Sequence, residues 1–387
     1  MAEKALRILS LAVLAACMAV SGGTLTVHEW GTFTSVAGSD GQAIKWLPLT
    51  GSTDLPAFVE HFRGEGFKCG LAGTVRMETP VMYFYSPRET AVSVKVSFAK
   101  GIITEWYPHA SAVEPAVVHP NNNPDGAIRW DNVRLIPGSR AIFPAGSADN
   151  RYYAARNTAA TPLHVTAPGG GQDERFLFYR GVSSATLPIA ARLDSAGRVM
   201  LQNLSADDIP GAMLIESRGG KLGYRMTGTL HGEAAFSPAP LTASRESMDR
   251  DLEGMLVAAG LYVDEARAMI ASWRDSWLEE GSRVLYILPA SAVDSILPLN
   301  ITPAPASIVR VFVGRLELVT PAMERAVESA FARNDQSTLD QYRRFLEPIL
   351  QAMIANSATQ PARIAQLRRD LESVYSYTCR SPWPDEQ

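Results

Sequence analysis

The feature that most constrains this chain is a change of hydrophobic period near residue 240. Before it, short runs of β-branched and aromatic residues alternate with Gly, Pro, Asn and Asp clusters, the pattern of strands separated by turns. Such runs fall at 24–35, 76–86, 91–99, 102–107, 127–136 and 175–180. Runs at 187–193 and 198–204 flank the turn 194–197, and runs at 212–217 and 221–230 flank Gly219 and Gly220; both are hairpin signatures. One short helix is expected in this half, over 55–62, with Pro56 near its start and Phe58, Val59 and Phe62 apolar.

Beyond residue 240 the apolar spacing becomes helical. Met248, Leu252, Met255, Leu256 and Ala259 share one face; Ala266, Met269, Ile270, Trp273 and Trp277 share another. Strands are expected at 283–288 and 308–319. Thr320 followed by Pro321 reads as an N-cap with proline at the first helical position, opening a helix that carries Met323, Val327 and Phe331. Leu339, Tyr342, Leu346, Ile349 and Met353 mark one more helix, kinked at Pro348, and Ile364, Leu367, Leu371 and Val374 mark the last. The expected fold class is α+β. An antiparallel β-sandwich-like domain spans 24–238, and an α+β segment over 239–387 ends in a helical hairpin.

Residues 1–23 read as a signal peptide. Lys4 and Arg7 precede the apolar stretch 8–16, which is too short to span a bilayer. The end of the signal reads in two ways. Leu14-Ala15-Ala16-Cys17 resembles a lipobox, in which Cys17 is acylated and becomes the first mature residue. Alternatively, an ordinary cleavage follows Ser21 or Gly22. The expected location is outside the cytoplasm: periplasmic, lipid-anchored at the outer membrane, or extracellular. Membrane contact is expected only through a lipid anchor. Of three cysteines, Cys69 and Cys379 then remain, an even count in an oxidising compartment, and they read either as a disulfide or as two separate thiols. Neither belongs to a metal-type pair such as C-x-x-C.

The 387 residues are 46% hydrophobic, enough to bury a core without staples, and the formal charge of −4 leaves no basic footprint for nucleic acid. There is no P-loop, no G-x-G-x-x-G and no G-x-S-x-G, so no cofactor is implied. His28-Glu29 begins like H-E-x-x-H but lacks the second histidine, and on a strand the two side chains point to opposite faces. Ser97-Phe98-Ala99-Lys100 matches S-x-x-K by letter, yet it lies at a strand end where the two groups do not meet.

Three glutamates stand out by context. Glu29 alternates with Val27 and Phe33, Glu78 is expected to share a face with Met82 and Phe84, and Glu105 precedes Trp106 and Tyr107. A carboxylate on an apolar face is desolvated, which suits general acid or base work. Two of them across a cleft, beside Trp30, Trp46, Trp106 or Trp130, would be the layout of a glycoside-processing site. The competing reading is structural: Arg76 lies two residues before Glu78 on the same face, and Pro80 predicts a bulge or an edge there. His28, Trp30, Trp106 and His109 are the candidate binding residues, and Glu105 with His109 is the pair from which a loop-borne metal site would be built, although no spacing assigns a metal. Trp273, Trp277 and Glu280 line one helical side, read as packing onto the β-rich part.

The run Val27-His28-Glu29-Trp30-Gly31-Thr32-Phe33-Thr34-Ser35 resembles the opening of a family of exported bacterial proteins of unknown function. Segments 77–85, 104–108, 280–286 and 310–315 look similar to further blocks of that family. The resemblance implies export and implies that both halves form one unit; it brings no activity, cofactor or catalytic residue. The preferred expectation is an envelope-associated module that binds or supports, with an envelope component or a glycan as its partner. The rivals are a periplasmic or surface hydrolase using Glu29, Glu78 or Glu105, and a metal-binding protein using His28 or His109.

Overall fold

The computed structural model describes residues 24–38, 40–49, 55–62, 70–116, 124–146, 150–357 and 360–378. Cys17, Cys69 and Cys379, and with them the expected acylation and disulfide, lie outside the described residues.

The fold is mixed α+β. Its strands are β1 (Thr26–Ala37), β2 (Glu60–His61), β3 (Val75–Tyr85), β4 (Thr90–Phe98), β5 (Gly101–Tyr107), β6 (Ala112–Glu114), β7 (Gly126–Leu135), β8 (Leu163–Ala167) and β9 (Gly170–Glu174). There follow β10 (Leu177–Ser183), β11 (Ile189–Leu193), β12 (Val199–Asn203), β13 (Ala212–Arg218), β14 (Lys221–Thr227), β15 (Glu233–Phe236), β16 (Gly281–Ile287), β17 (Leu299–Thr302) and β18 (Ser307–Leu318). The helices are α1 (Arg245–Ala258), α2 (Val263–Trp277), α3 (Ala290–Ile296), α4 (Pro321–Arg333), α5 (Gln336–Tyr342), α6 (Leu346–Asn356) and α7 (Pro361–Thr378).

A nine-stranded sheet in the order β14-β13-β16-β18-β1-β3-β10-β5-β2 forms the middle of the molecule. Its strands are antiparallel except β1 and β18, which run parallel from Thr26 opposite Ser307 to Ala37 opposite Leu318. Alternation along β1 sends Val27 and Phe33 to one face and Trp30, Thr32 and Thr34 to the other. On the first face, Val27, Phe33, Met77, Phe84 and Tyr179 share a core with Val96 and Trp130 of the sheet β17-β4-β7-β8-β9 and with Leu201 of the sheet β11-β12-β15. On the second face, Trp30, Val81, Tyr83 and Leu285 pack against Leu252, Leu256, Trp273 and Trp277 of α1 and α2. Val36 and Trp46 continue that face under α4–α7, where they meet Met323, Val327, Phe345 and Ile349.

The elements begin and end where local chemistry says they should. Ser244 accepts the Ser247 amide to cap α1, and Thr320 accepts the Met323 amide at 3.2 Å to cap α4. Asn334 closes α4 in the left-handed region, φ 53°.

Two expectations need correction. Segment 55–62 is not a helix: a turn, in which the Val59 amide donates to the Pro56 carbonyl, leads into the edge strand β2. Phe58 and Val59 pack into the cluster under the helices, with Tyr107 and Tyr152, whereas Phe62 packs against Leu49, Leu71, Ile102 and Val182. The helix over 339–353 is not kinked at Pro348 but broken earlier, at the 3-10 turn Arg343–Phe345. Pro348 then falls in the first turn of α6, where its missing N–H leaves no helical bond unmade. Strands from both segments, 24–238 and 239–387, enter the central sheet, with β16 and β18 lying between β13 and β1.

Glu347 ties the C-terminal helices to the loop after β1. Its carboxylate, 3% exposed, accepts the Leu47 amide at 3.0 Å and the Tyr375 hydroxyl at 3.2 Å. Burial pushes this carboxyl up to about 7, and the bonds from Leu47 and Tyr375 only partly oppose it. The folded chain therefore holds a proton that the unfolded chain releases above the ordinary carboxylate range, so this group's stabilisation falls as pH rises toward 7 and is gone above it. Glu347→Gln should abolish that slope. Relative to the wild type, its unfolding free energy should gain about 3 kcal/mol between pH 4.5 and 8, measured by urea denaturation. An unchanged difference across that range would refute the assignment.

Candidate functional site

The helix-facing side of the central sheet carries a polar stripe between its two apolar clusters. Arg283 and Arg315, both 0% exposed, share the carboxylate of Glu317. Burial would raise the Glu317 carboxyl, but the two guanidinium groups outweigh it and hold it below the usual range. Arg283 also donates to the Trp277 and Glu279 carbonyls, each at 2.7 Å, which satisfies the end of α2. Arg315 reaches Ser276 at 2.6 Å and Glu279 at 2.9 Å.

Glu78 belongs to this stripe. It accepts the Thr34 hydroxyl at 2.9 Å, pairs with Arg76 at 3.2 Å and takes a close contact from Arg344 of the 3-10 turn. The Arg76 pairing is the one its sequence spacing suggests. The apolar neighbours expected for Glu78 are not there. A bulge at Thr79, φ 51°, and Pro80 shifts the alternation of β3 by one residue, so Met82 and Phe84 face the sandwich core while Glu78 faces the helices.

Glu29 lies on the opposite face. Its carboxylate takes the Tyr179 hydroxyl and, at 2.7 Å, Nε of Arg310, which also donates to Asp294 and to the Leu297 carbonyl. Glu105, 2% exposed, takes the Thr104 hydroxyl and stands opposite Arg180 in the β5–β10 ladder. The three glutamates singled out by sequence thus sit in three separate buried networks, and the glycoside-type layout of two carboxylates across a cleft is not formed by them.

Two of the candidate binding residues are also enclosed. Trp30 is fully buried under α2 and offers a ligand no surface. His28, 2% exposed, bonds through Nδ1 to Glu265 at 2.8 Å, and Glu265 is itself held by the Tyr85 hydroxyl at 2.7 Å and the Tyr262 amide at 2.8 Å.

The other two meet. His109 Nδ1 lies 2.9 Å from the carboxylate of Glu60, and the Trp106 indole N–H donates to the same carboxylate at 2.9 Å. Glu60, and not Glu105, is therefore the acidic partner of His109. The His109 amide donates to Gln172 Oε1 at 2.7 Å. Glu60, His109 and Gln172 border an open cleft of about 450 Å³ at the β2 end of the sheet, lined also by Phe58, His61 and Pro168. The size falls within the range of small-molecule sites. Sequence reasoning missed Glu60 and Gln172. The signal for Glu60 is its position beside His61, in a segment whose spacing suggests a helix. Among the described residues, no three His, Cys, Asp or Glu side chains gather in a way that could hold a metal ion.

No protein-family model matches the chain, and no curated protein is significantly similar to it. Among solved structures, the yeast delta-COP-I mu-homology domain aligns over 76% of this chain and 97% of its own, at 7% identity and a TM-score of 0.31. The same yeast domain complexed with a Dsl1 WxWxV peptide aligns over the same shares at 8% identity and a TM-score of 0.29. At these scores the likeness carries no argument about this protein.

The contrast between sealed and accessible carboxylates is measurable. Glu78→Gln leaves Arg76 and Arg344 facing a neutral group inside the protein and should lower stability by about 3–5 kcal/mol. Glu60→Gln, at a side chain 31% exposed, should cost no more than about 1 kcal/mol. Thermal and urea unfolding of the two variants decide it; equal losses would remove the distinction drawn here.

Proposed function

We propose that this protein works outside the cytoplasm as an envelope-associated module that binds or supports, and that it is not a carboxylate-dependent hydrolase. One observation carries the second half of this reading. Each candidate acid or base is closed off by a cation or a hydroxyl: Glu29 by Arg310 and Tyr179, Glu78 by Arg76, Arg344 and Thr34, and Glu105 by Thr104. A general acid must reach a substrate, and a carboxylate buried and held in this way inside a packed sheet does not. The cleft at Glu60, His109 and Gln172 is by contrast open, and its groups are fixed by bonds to one another in the manner of a preformed binding site.

The exported half of the reading rests on the sequence: the basic start, the short apolar stretch, the small residues near Cys17 and the resemblance carried by segment 27–35. Among the described residues, no helix is long and apolar enough to cross a membrane.

Mass spectrometry of the native protein after cell fractionation tests the proposal. The mature chain should be found in the envelope or periplasmic fraction, beginning at acylated Cys17 or just after Ser21 or Gly22. An intact chain starting at Met1 in the cytosol would overturn it.

A further inference from the structure

We infer that the cleft at the β2 end of the central sheet is a glycan site, in which His109 Nε2 and the Gln172 amide nitrogen clasp a hydroxyl or acetamido group of a neutral sugar. The inference deepens the binding-module reading and rests on it.

Hydrogen bonds already made within the cleft fix what its groups can offer. A carboxylate has no proton to give, so in the contact with Glu60 the donor is His109 Nδ1–H. When neutral, the imidazole is thereby fixed as the tautomer with an unprotonated Nε2, an acceptor on the far side of the ring. Glu60 is itself steadied by the Trp106 indole N–H, so the ring is oriented before any ligand arrives, and in the neutral form its tautomer is set with it. Gln172 is fixed in the complementary sense. Its Oε1 accepts the backbone N–H of His109 at 2.7 Å, which leaves its NH₂ group to donate. One residue, His109, thus positions an acceptor through its ring and a donor through its backbone contact, both on the lining of the same cleft.

An acceptor beside a donor matches a group that both gives and takes a hydrogen bond. A sugar hydroxyl does so with one atom, and an acetamido group with two. The remaining lining fits a pyranose: Phe58 and Pro168 supply apolar surface for ring C–H groups, and the space of about 450 Å³ exceeds what a single hydroxyl-bearing group would need. The Glu60 charge behind the imidazole disfavours an anionic ligand and favours a neutral one.

The test is titration of the mature full-length chain with triacetylchitotriose, a neutral probe bearing both hydroxyl and acetamido groups, followed by protein NMR. Saturable shifts should centre on Phe58, Glu60, His109 and Gln172. His109→Phe and Gln172→Ala should each weaken binding about three- to tenfold, the worth of one net hydrogen bond. Should His109→Phe not fold, Gln172→Ala alone decides. Absence of saturable shifts at millimolar probe, shifts centred elsewhere, or unchanged affinity in Gln172→Ala would overturn the inference. Parallel sedimentation with isolated cell envelopes separates the two failures: a chain that ignores the probe but still co-sediments loses the glycan assignment only, and one that does neither loses the binding role as well.

Discussion

Charge compensation along one stripe of the central sheet is the constraint on which this architecture rests. Arg283 and Arg315 have no access to water, and the carboxylate of Glu317 is what makes their burial tolerable. The same stripe collects groups from distant parts of the chain: Thr34 from β1, Glu78 from β3, Ser276 and the last carbonyls of α2, and Arg344 from the turn before α6. Apolar packing alone would let α1–α2 and α4–α7 slide over a greasy sheet face. Hydrogen-bonded charges with fixed partners set where each helical group must stop, a specificity role that buried polar groups fill in some other folds.

The same logic separates structure from candidate function. The glutamates that look unusual in the sequence do so because they interrupt apolar strands, and a strand buried on both faces tolerates a carboxylate only where a cation or hydroxyl awaits it. The histidine–carboxylate pair that lines the cleft, His109 with Glu60, lies instead at the sheet's end, beside the two-residue strand β2.

Much of the fold was legible. Strand positions followed from alternation, and the helices after residue 240 followed from their apolar faces and caps, as with Thr320 and Pro321. The Arg76–Glu78 pair was legible because the two stand two residues apart on one strand face. What escaped was set by partners far along the chain. The shift at Thr79 and Pro80 announces itself as a proline but not as a change of face for Met82 and Phe84. The sealing of Glu29 depends on Arg310, 281 residues away, and that of Glu78 on Arg344. Segment 55–62 carries a spacing that suits a helix, and only its pairing with β5 makes it an edge. His109 was legible as a binding candidate, whereas its acidic partner was not, since nothing local links residue 109 to residue 60.

The parallel pairing of β1 with β18 has a consequence for how such a chain matures. The first of the described strands, β1, lies in the interior of the sheet, and its second neighbour begins at Ser307. Until that late stretch arrives, a long row of amide and carbonyl groups on β1 stays open to any passing strand, its own or another molecule's. Contacts of such wide sequence separation also form slowly. A polypeptide delivered from its amino terminus would therefore wait, half assembled and prone to mispair, for most of its length to appear, and would draw on holding factors during that interval.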